Sequence, residues 1–375
     1  MAAPAAVSRA WRSWNGPARL HGLDLARALA VFGMLAAHLL TIEQPLRLAD
    51  PATWIDVVNG RSSILFAVLA GVSIALMTGG RMPRRAPRLG VDRRRLAVRA
   101  VLLWAIGLLL TQTGVPIYVI LPAYGILFLL ALPLLALPAW ALWAIAASVA
   151  LVVPWFLPFL DALPIWDGEA GETLFFAVGW AYPFPLWIAF VAAGMALGRT
   201  DLRRAGTQAL ILAAGVALTA LGAVIGLLAD MAGGAPPDSY AAAVLSAEAH
   251  SGGIVEVVSS TGFAMAVLGA CLLVCRTPLT WVLAPLRAVG SMPLTAYVGQ
   301  VVAWALIALA VLGDTTDLRA FRDLHPLGWF YLGAIVLCSL WAILVGRGPL
   351  ESALAAVSRR AVPTDGGEPA DRVES

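Results

Sequence analysis

An all-α polytopic membrane protein is the fold class this sequence predicts, on three observations. Of 375 residues, 61% are hydrophobic and 13% charged, with a mean hydropathy of +0.86. A soluble domain carries about 25% charged residues, so a water-soluble globule is excluded. The apolar residues also fall in unbroken runs, roughly ten of them near the ~20 residues a spanning helix needs. Finally, most charge is confined to the short segments between those runs, which leaves too little polar chain for a separate soluble domain.

The first run, residues 23–42, follows Arg9, Arg12 and Arg19. It is longer than the ~7–15 residues of a signal-peptide core and no cleavage site follows it, so it reads as a retained first helix. The next runs are residues 55–78, 96–113, 117–137 and 139–160, then 174–197, 207–229, 254–274, 288–312 and 327–345. Pro122, Pro133, Pro154, Pro158, Pro183 and Pro185 interrupt the middle runs, where a bundle tolerates them as kinks or short helices. The count is about ten spans, or eleven if the chain between the fifth and sixth runs divides. Residues 1–22 are then an N-terminal segment, 23–346 the bundle and 347–375 a C-terminal tail, polar and disordered after Val362.

All 25 basic residues are Arg. In a ten-span chain, 21 of these 25 fall on the side of the two termini, leaving Arg47, Arg61, Arg319 and Arg322 opposite. Short basic loops stay in the cytoplasm, so both termini are expected there. Carboxylates such as Glu43, Asp56, Asp238 and Glu248 collect on the other side. The same distribution explains the pI of 9.0 without nucleic acid, because the Arg clusters are short orientation-setting loops. Cys271, Cys275 and Cys338 lie inside apolar runs and read as small hydrophobes, with no metal-ligand spacing around them. Tryptophans near run ends, including Trp54, Trp140, Trp180, Trp281 and Trp329, suggest an interfacial belt.

Ionisable residues inside spans are expensive and mark candidate sites. In the first span, at ~100° per residue, Asp24 and Arg27 are offset by ~300° and Arg27 and His38 by ~20° net. One polar stripe therefore runs along an apolar helix, with His38 about 16 Å beyond Arg27. The plainer alternative is an Asp24–Arg27 pair anchoring the helix end. A second candidate is EAHSGGIVEVV, where His250 can act on an acceptor with Glu256 orienting it. The same stretch also reads as a helix entry, with Ser251 as N-cap and Glu256 complementing the helix dipole. His21 and His325 sit at span edges as interfacial residues, and Arg61 is placed to pair with a carboxylate or grip an anionic substrate.

The string LDLARALAVFGMLAAH, with Asp24, Arg27 and His38, resembles the first-helix signature of integral-membrane acyltransferases. These include bacterial O-acyltransferases of cell-surface sugars and the heparan-alpha-glucosaminide N-acetyltransferase-like group. The O-acyltransferase resemblance implies that His38 is catalytic. NGRSSILFAVLAGVSIAL is similar to the second helix of the heparan-type group at Phe66, Gly71 and Ser73. APLRAVGSMPLTAYVGQ and GRGPLE resemble the YeiB-like bacterial membrane proteins of unassigned function, through Gly290, Met292, Leu294, Thr295 and Tyr297. One departure stands out: the heparan-type group carries a His in the loop after the first helix, and residues 39–60 contain none.

The resemblance implies a multi-pass protein of the bacterial inner membrane that moves an acyl group, with acetyl the leading candidate. The donor would be a cytoplasmic acyl-CoA acting as co-substrate, with no permanently bound cofactor or metal. The acceptor would be an extracytoplasmic sugar, amine or lipid-linked molecule of the cell envelope. His38, His250 and Glu256 are the candidate catalytic residues; Asp24, Arg27 and Arg287 the candidate donor-binding residues; Arg61, Tyr297 and Gln300 the candidate substrate-binding residues. A transporter or exporter using the same polar stripe, and a non-catalytic accessory protein, are the rival readings. For the topology, cysteine labelling at Arg88 and Asp238 should report opposite sides of the membrane; labelling from one side only would overturn the ten-span arrangement.

Overall fold

Runs this apolar satisfy their backbone polar groups internally in lipid, and the described residues do so with helices. A computed structural model describes residues 10–12, 14–17, 19–42, 50–231 and 239–363; no strand occurs among them. Arg9, Glu43, Arg47, Asp238 and the polar tail from residue 364 lie outside the described residues.

The helices in chain order are α1 (His21–Leu39), α2 (Arg61–Met77), α3 (Arg88–Thr111), α4 (Leu121–Leu130), α5 (Ala139–Val152), α6 (Leu157–Asp161), α7 (Gly168–Val178) and α8 (Phe184–Gly198). They continue with α9 (Ala205–Met231), α10 (Tyr240–Leu245), α11 (Ile254–Val274), α12 (Leu279–Val282), α13 (Ala284–Ser291), α14 (Pro293–Leu312), α15 (Leu318–Asp323), α16 (Leu327–Leu344) and α17 (Pro349–Ala361). Among the described residues, six segments are long and apolar enough to cross a membrane: His21–Leu39, Thr53–Met77, Ala205–Ala229, Ile254–Val274, Pro293–Leu312 and Leu327–Leu344. The second includes the 3-10 turn Pro51–Val58 that leads into α2. The molecule is therefore an all-helical, multi-pass membrane protein.

The middle runs divide where proline and glycine dictate. Residues 174–197, continuous in hydropathy, form two helices: α7 ends on Gly179 at φ +63°, and α8 restarts behind Pro183. Residues 117–137 give the short α4 and a 3-10 turn, Pro133–Ala136. Residues 288–312 break at Met292, which separates α13 from α14. The C-terminal segment from residue 347 begins with a helix, α17, held to α14: Glu351 accepts from the Leu294 and Thr295 backbone N–H groups at 2.8 and 3.1 Å and from Thr295 Oγ1 at 2.5 Å. GRGPLE and GSMPLT thus form one latch, a carboxylate satisfying the first-turn N–H groups of α14.

Packing is organised around α1, most of whose residues are buried and which touches α2, α11, α13, α14 and α16. By contrast, α9 and α16 turn leucines, isoleucines and valines outward, as lipid-facing helices do. Trp54, Trp140, Trp281 and Trp329 are exposed as a belt requires, whereas Trp180 is buried, donating to Asp161 Oδ1 at 2.8 Å. Small residues set the closest approaches, as between membrane helices generally. At Gly290 a Cβ would fall inside the Asp24 carbonyl oxygen, so α13 can lie on α1 only because that position is glycine. Gly290→Ala should therefore lower stability by at least ~1–3 kcal/mol, the cost of overpacking against backbone. Gly299→Ala, with nothing within 4 Å of the new methyl, should leave the melting temperature in nanodiscs unchanged or raised.

Candidate active site

Two polar clusters lie on α1, one at each end, about 21 Å apart by helical rise. The first is built on Asp24, which is almost fully buried. Arg19 Nε donates to its Oδ2 at 2.5 Å and Arg19 Nη2 to Oδ1 at 3.1 Å; Arg27 Nη1 reaches Oδ1 at 3.1 Å. Arg27 Nη2 donates to Ser73 Oγ on α2 at 2.7 Å, and that hydroxyl donates to the Leu69 carbonyl. The expected Asp24–Arg27 pair is present, and Arg19 adds a second cation that the spacing did not suggest. Arg287 stands alongside on α13, buried, with Nη1 on Thr280 O and Oγ1 at 2.8 and 2.9 Å. Its Nη2 meets Asn15 Oδ1 at 2.5 Å and His21 Nδ1 at 2.6 Å, and its guanidinium carbon lies 5.7 Å from the centroid of the Trp14 ring. His21, expected as an interfacial residue, is a partner within this cluster.

The second cluster surrounds His38. Val31, Met34, Leu35 and His38 recur at helical spacing on one face of α1, and Tyr297, Gln300, Val301 and Trp304 do so on α14. Together with Ile117 they enclose a narrow cleft of about 10 Å³, the scale of one water molecule. Three residues singled out from the sequence, His38, Tyr297 and Gln300, therefore meet in one place. Tyr297 Oη accepts from the Ile120 backbone N–H at 3.4 Å. Trp304 lies flat on Phe321, with centroids 4.8 Å apart and planes at 10°. The neighbouring Arg322 donates to the His38 carbonyl from Nε at 3.0 Å and from Nη2 at 2.7 Å, capping the end of α1. Among the described residues no cluster of His, Cys, Asp or Glu has the makings of a metal site.

His250 and Glu256 do not line this cleft. His250 is exposed, within electrostatic reach of the His38 ring, and sits at φ +66°. With Gly252 also left-handed, the loop turns alternate N–H groups, those of His250 and Gly252, toward Glu256, while the Ser251 N–H donates to the Glu248 carbonyl. His250 N donates to Oε1 at 2.6 Å, Gly252 N to Oε2 at 2.7 Å, and Ser251 Oγ to Oε2 at 3.2 Å. Glu256 thus holds the loop closed, and the helix entry uses Gly253, not Ser251, as N-cap. Arg61 is half-buried behind Gly60 and near enough to Glu256 to feel its charge. Trp304, Arg322 and Arg19 were not picked out as site residues from the sequence. Only Trp304 had a signal there, one helical turn after Gln300 on the Tyr297 stripe.

Compared with known families, residues 19–227 match the family described as heparan-alpha-glucosaminide N-acetyltransferase, catalytic, and residues 213–360 match a protein family of unknown function, DUF418. The two matches overlap within α9. No curated protein and no solved structure matches the chain.

The buried ion pair makes a direct prediction. Asp24→Asn leaves Arg19 and Arg27 without their carboxylate and should cost ~3–5 kcal/mol of stability, read as a fall in melting temperature. Asp24→Asn combined with Arg27→Gln should recover part of that loss.

Proposed function

The chain belongs to the heparan-alpha-glucosaminide N-acetyltransferase catalytic family, matched over more than half its length, and on that premise we propose a membrane-embedded acyltransferase with His38 as its general base. The acyl group, acetyl by family analogy, comes from an acyl-CoA at the Arg-rich end of the bundle. It passes to a hydroxyl or amine of a cell-envelope acceptor, a sugar, an amine or a lipid-linked molecule, at the His38 end. The Arg distribution supports placing the donor side in the cytoplasm of a bacterial inner membrane, with about ten spans and both termini on that side.

One observation carries the reading: a single helix, α1, joins the cationic cluster at Asp24 to the His38 cleft. Arg27 and Arg287, with Arg19 and Arg203 nearby, make the first end attractive to the donor's phosphates. Asp24 orients the arginines rather than touching the donor. At the other end the acceptor O–H or N–H is deprotonated by His38 as its oxygen or nitrogen attacks the thioester carbon. The C–S bond breaks, and the proton held on the imidazole passes to the departing thiolate. Tyr297 and Gln300 position the reacting group, while Arg61 and His250 stand where an acceptor approaches. The interactions of Glu256 suit a residue that shapes the loop carrying His250.

Transfer of labelled acetyl from acetyl-CoA by the purified protein in nanodiscs tests this. His38→Ala should reduce transfer by ~10²-fold or more with insertion and melting temperature intact, while His250→Ala should retain most activity. Loss in His250→Ala alone would move the base to the loop. Full activity in both would remove His catalysis, and no transfer by the wild type would favour a transporter.

A further inference from the structure

Two residues that line the His38 cleft each carry a buried hydrogen-bond donor with no partner among the described residues. The Gln300 amide nitrogen and the Trp304 indole Nε1 are both inaccessible and unsatisfied, and both side chains line the cleft opposite His38. Gln300 is 8% exposed and Trp304 1% exposed, so bulk solvent does not satisfy them. A buried donor left unpaired is costly and uncommon in native proteins. Of the ten buried side-chain atoms without a partner among the described residues, these two alone belong to residues that line the cleft, one helical turn apart and across from the His38 imidazole. Besides these two, only His38 and Tyr297 are polar among the lining side chains; the open surface of the cleft is apolar, so a ligand group reaches the two N–H donors, the hydroxyl and the base only by parting the side chains in front of them.

Trp304 is also fixed more firmly than packing against lipid would require. Its ring is stacked on Phe321, which is fully buried, and α15 is tied to α1 through the Arg322 bonds to the His38 carbonyl. One short helix thus sets the indole and the end of the His38 helix relative to each other.

We propose that Gln300 Nε2 and Trp304 Nε1 form an oxyanion site that holds the carbonyl oxygen of the acyl group while His38 acts on the acceptor. The inference rests on the acyltransferase reading and assigns two further catalytic residues within it. As the acceptor oxygen or nitrogen bonds to the carbonyl carbon, the C=O π electrons move onto oxygen. The two N–H groups stabilise that charge, and it returns as the C–S bond breaks and the thiolate takes the proton from His38. Fixed donors aimed at a developing charge in a water-poor site are among the larger contributions to catalysis.

The experiment uses full-length protein in nanodiscs. Trp304→Phe removes one donor but keeps a ring to stack on Phe321, and Gln300→Met removes the other at similar volume. Each should lower kcat for acetyl transfer about 10²–10³-fold with little change in the donor KM. Carbonyl-13C acetyl-CoA bound to His38→Ala protein should show an infrared carbonyl band shifted to lower frequency, moving back when either donor is also removed. Either variant alone suffices if the other fails to fold. Wild-type transfer with unchanged kcat in the folded variants, or an unshifted carbonyl band, would overturn the oxyanion assignment and leave the acyltransferase reading standing. No transfer and no donor binding by the wild type would overturn both.

Discussion

A carboxylate taken out of water at the end of an apolar helix cannot stand alone, and the arrangement of this bundle follows from how Asp24 is answered. Arg19 and Arg27 hold it from both sides, and Arg27 also donates from Nη2 to Ser73, which ties α1 to α2. The opposite side of the same turn is pressed by α13 at Gly290, with Arg287 one turn earlier. Once α1 is fixed in rotation at this end, the helical repeat dictates where His38 points fourteen residues later. The ion pairs are therefore more than an anchor; they orient the face that carries the imidazole.

The other end is held by independent means. Arg322 caps α1 at the His38 carbonyl, Phe321 supports Trp304, and the Tyr331 hydroxyl donates to the Phe32 carbonyl at 2.8 Å. At the start of α14, Glu351 and Thr295 lock the last described helix beneath the stripe that faces His38. The matched families divide the chain, with residues 19–227 on one side and 213–360 on the other, yet the His38 cleft draws on both parts. Neither part contains the cleft without the other.

Much of this was legible in the sequence, because hydropathy runs and periodicity are local properties. The apolar segments, the shared face of Asp24, Arg27 and His38, and the pairing of Asp24 with Arg27 all follow from spacing along one helix. The stripe on α14 is likewise periodic, but its junction with α1 is a contact between segments some 260 residues apart, which no local pattern specifies. Hydropathy also passed over the breaks at Gly179 and Met292, which are backbone events inside apolar composition. At Glu256 the sequence allowed a catalytic partner or a helix entry equally, and its bonds to the loop depend on the left-handed turn at His250, which the sequence does not spell out.

The nearness of Asp24's partners bears on the order in which the protein is made. Both arginines lie within five residues of the carboxylate, so the first helix enters the bilayer with its charge already balanced. Arg287, Gln300 and Trp304 leave the ribosome some 260 residues afterwards, roughly ten seconds to a minute at ~5–20 residues per second. During that interval α1 has neither α13 nor α14 to lie against. A long-range partner for Asp24 would have left an uncompensated charge in the translocon for all of that time; a local one lets the nascent helix wait.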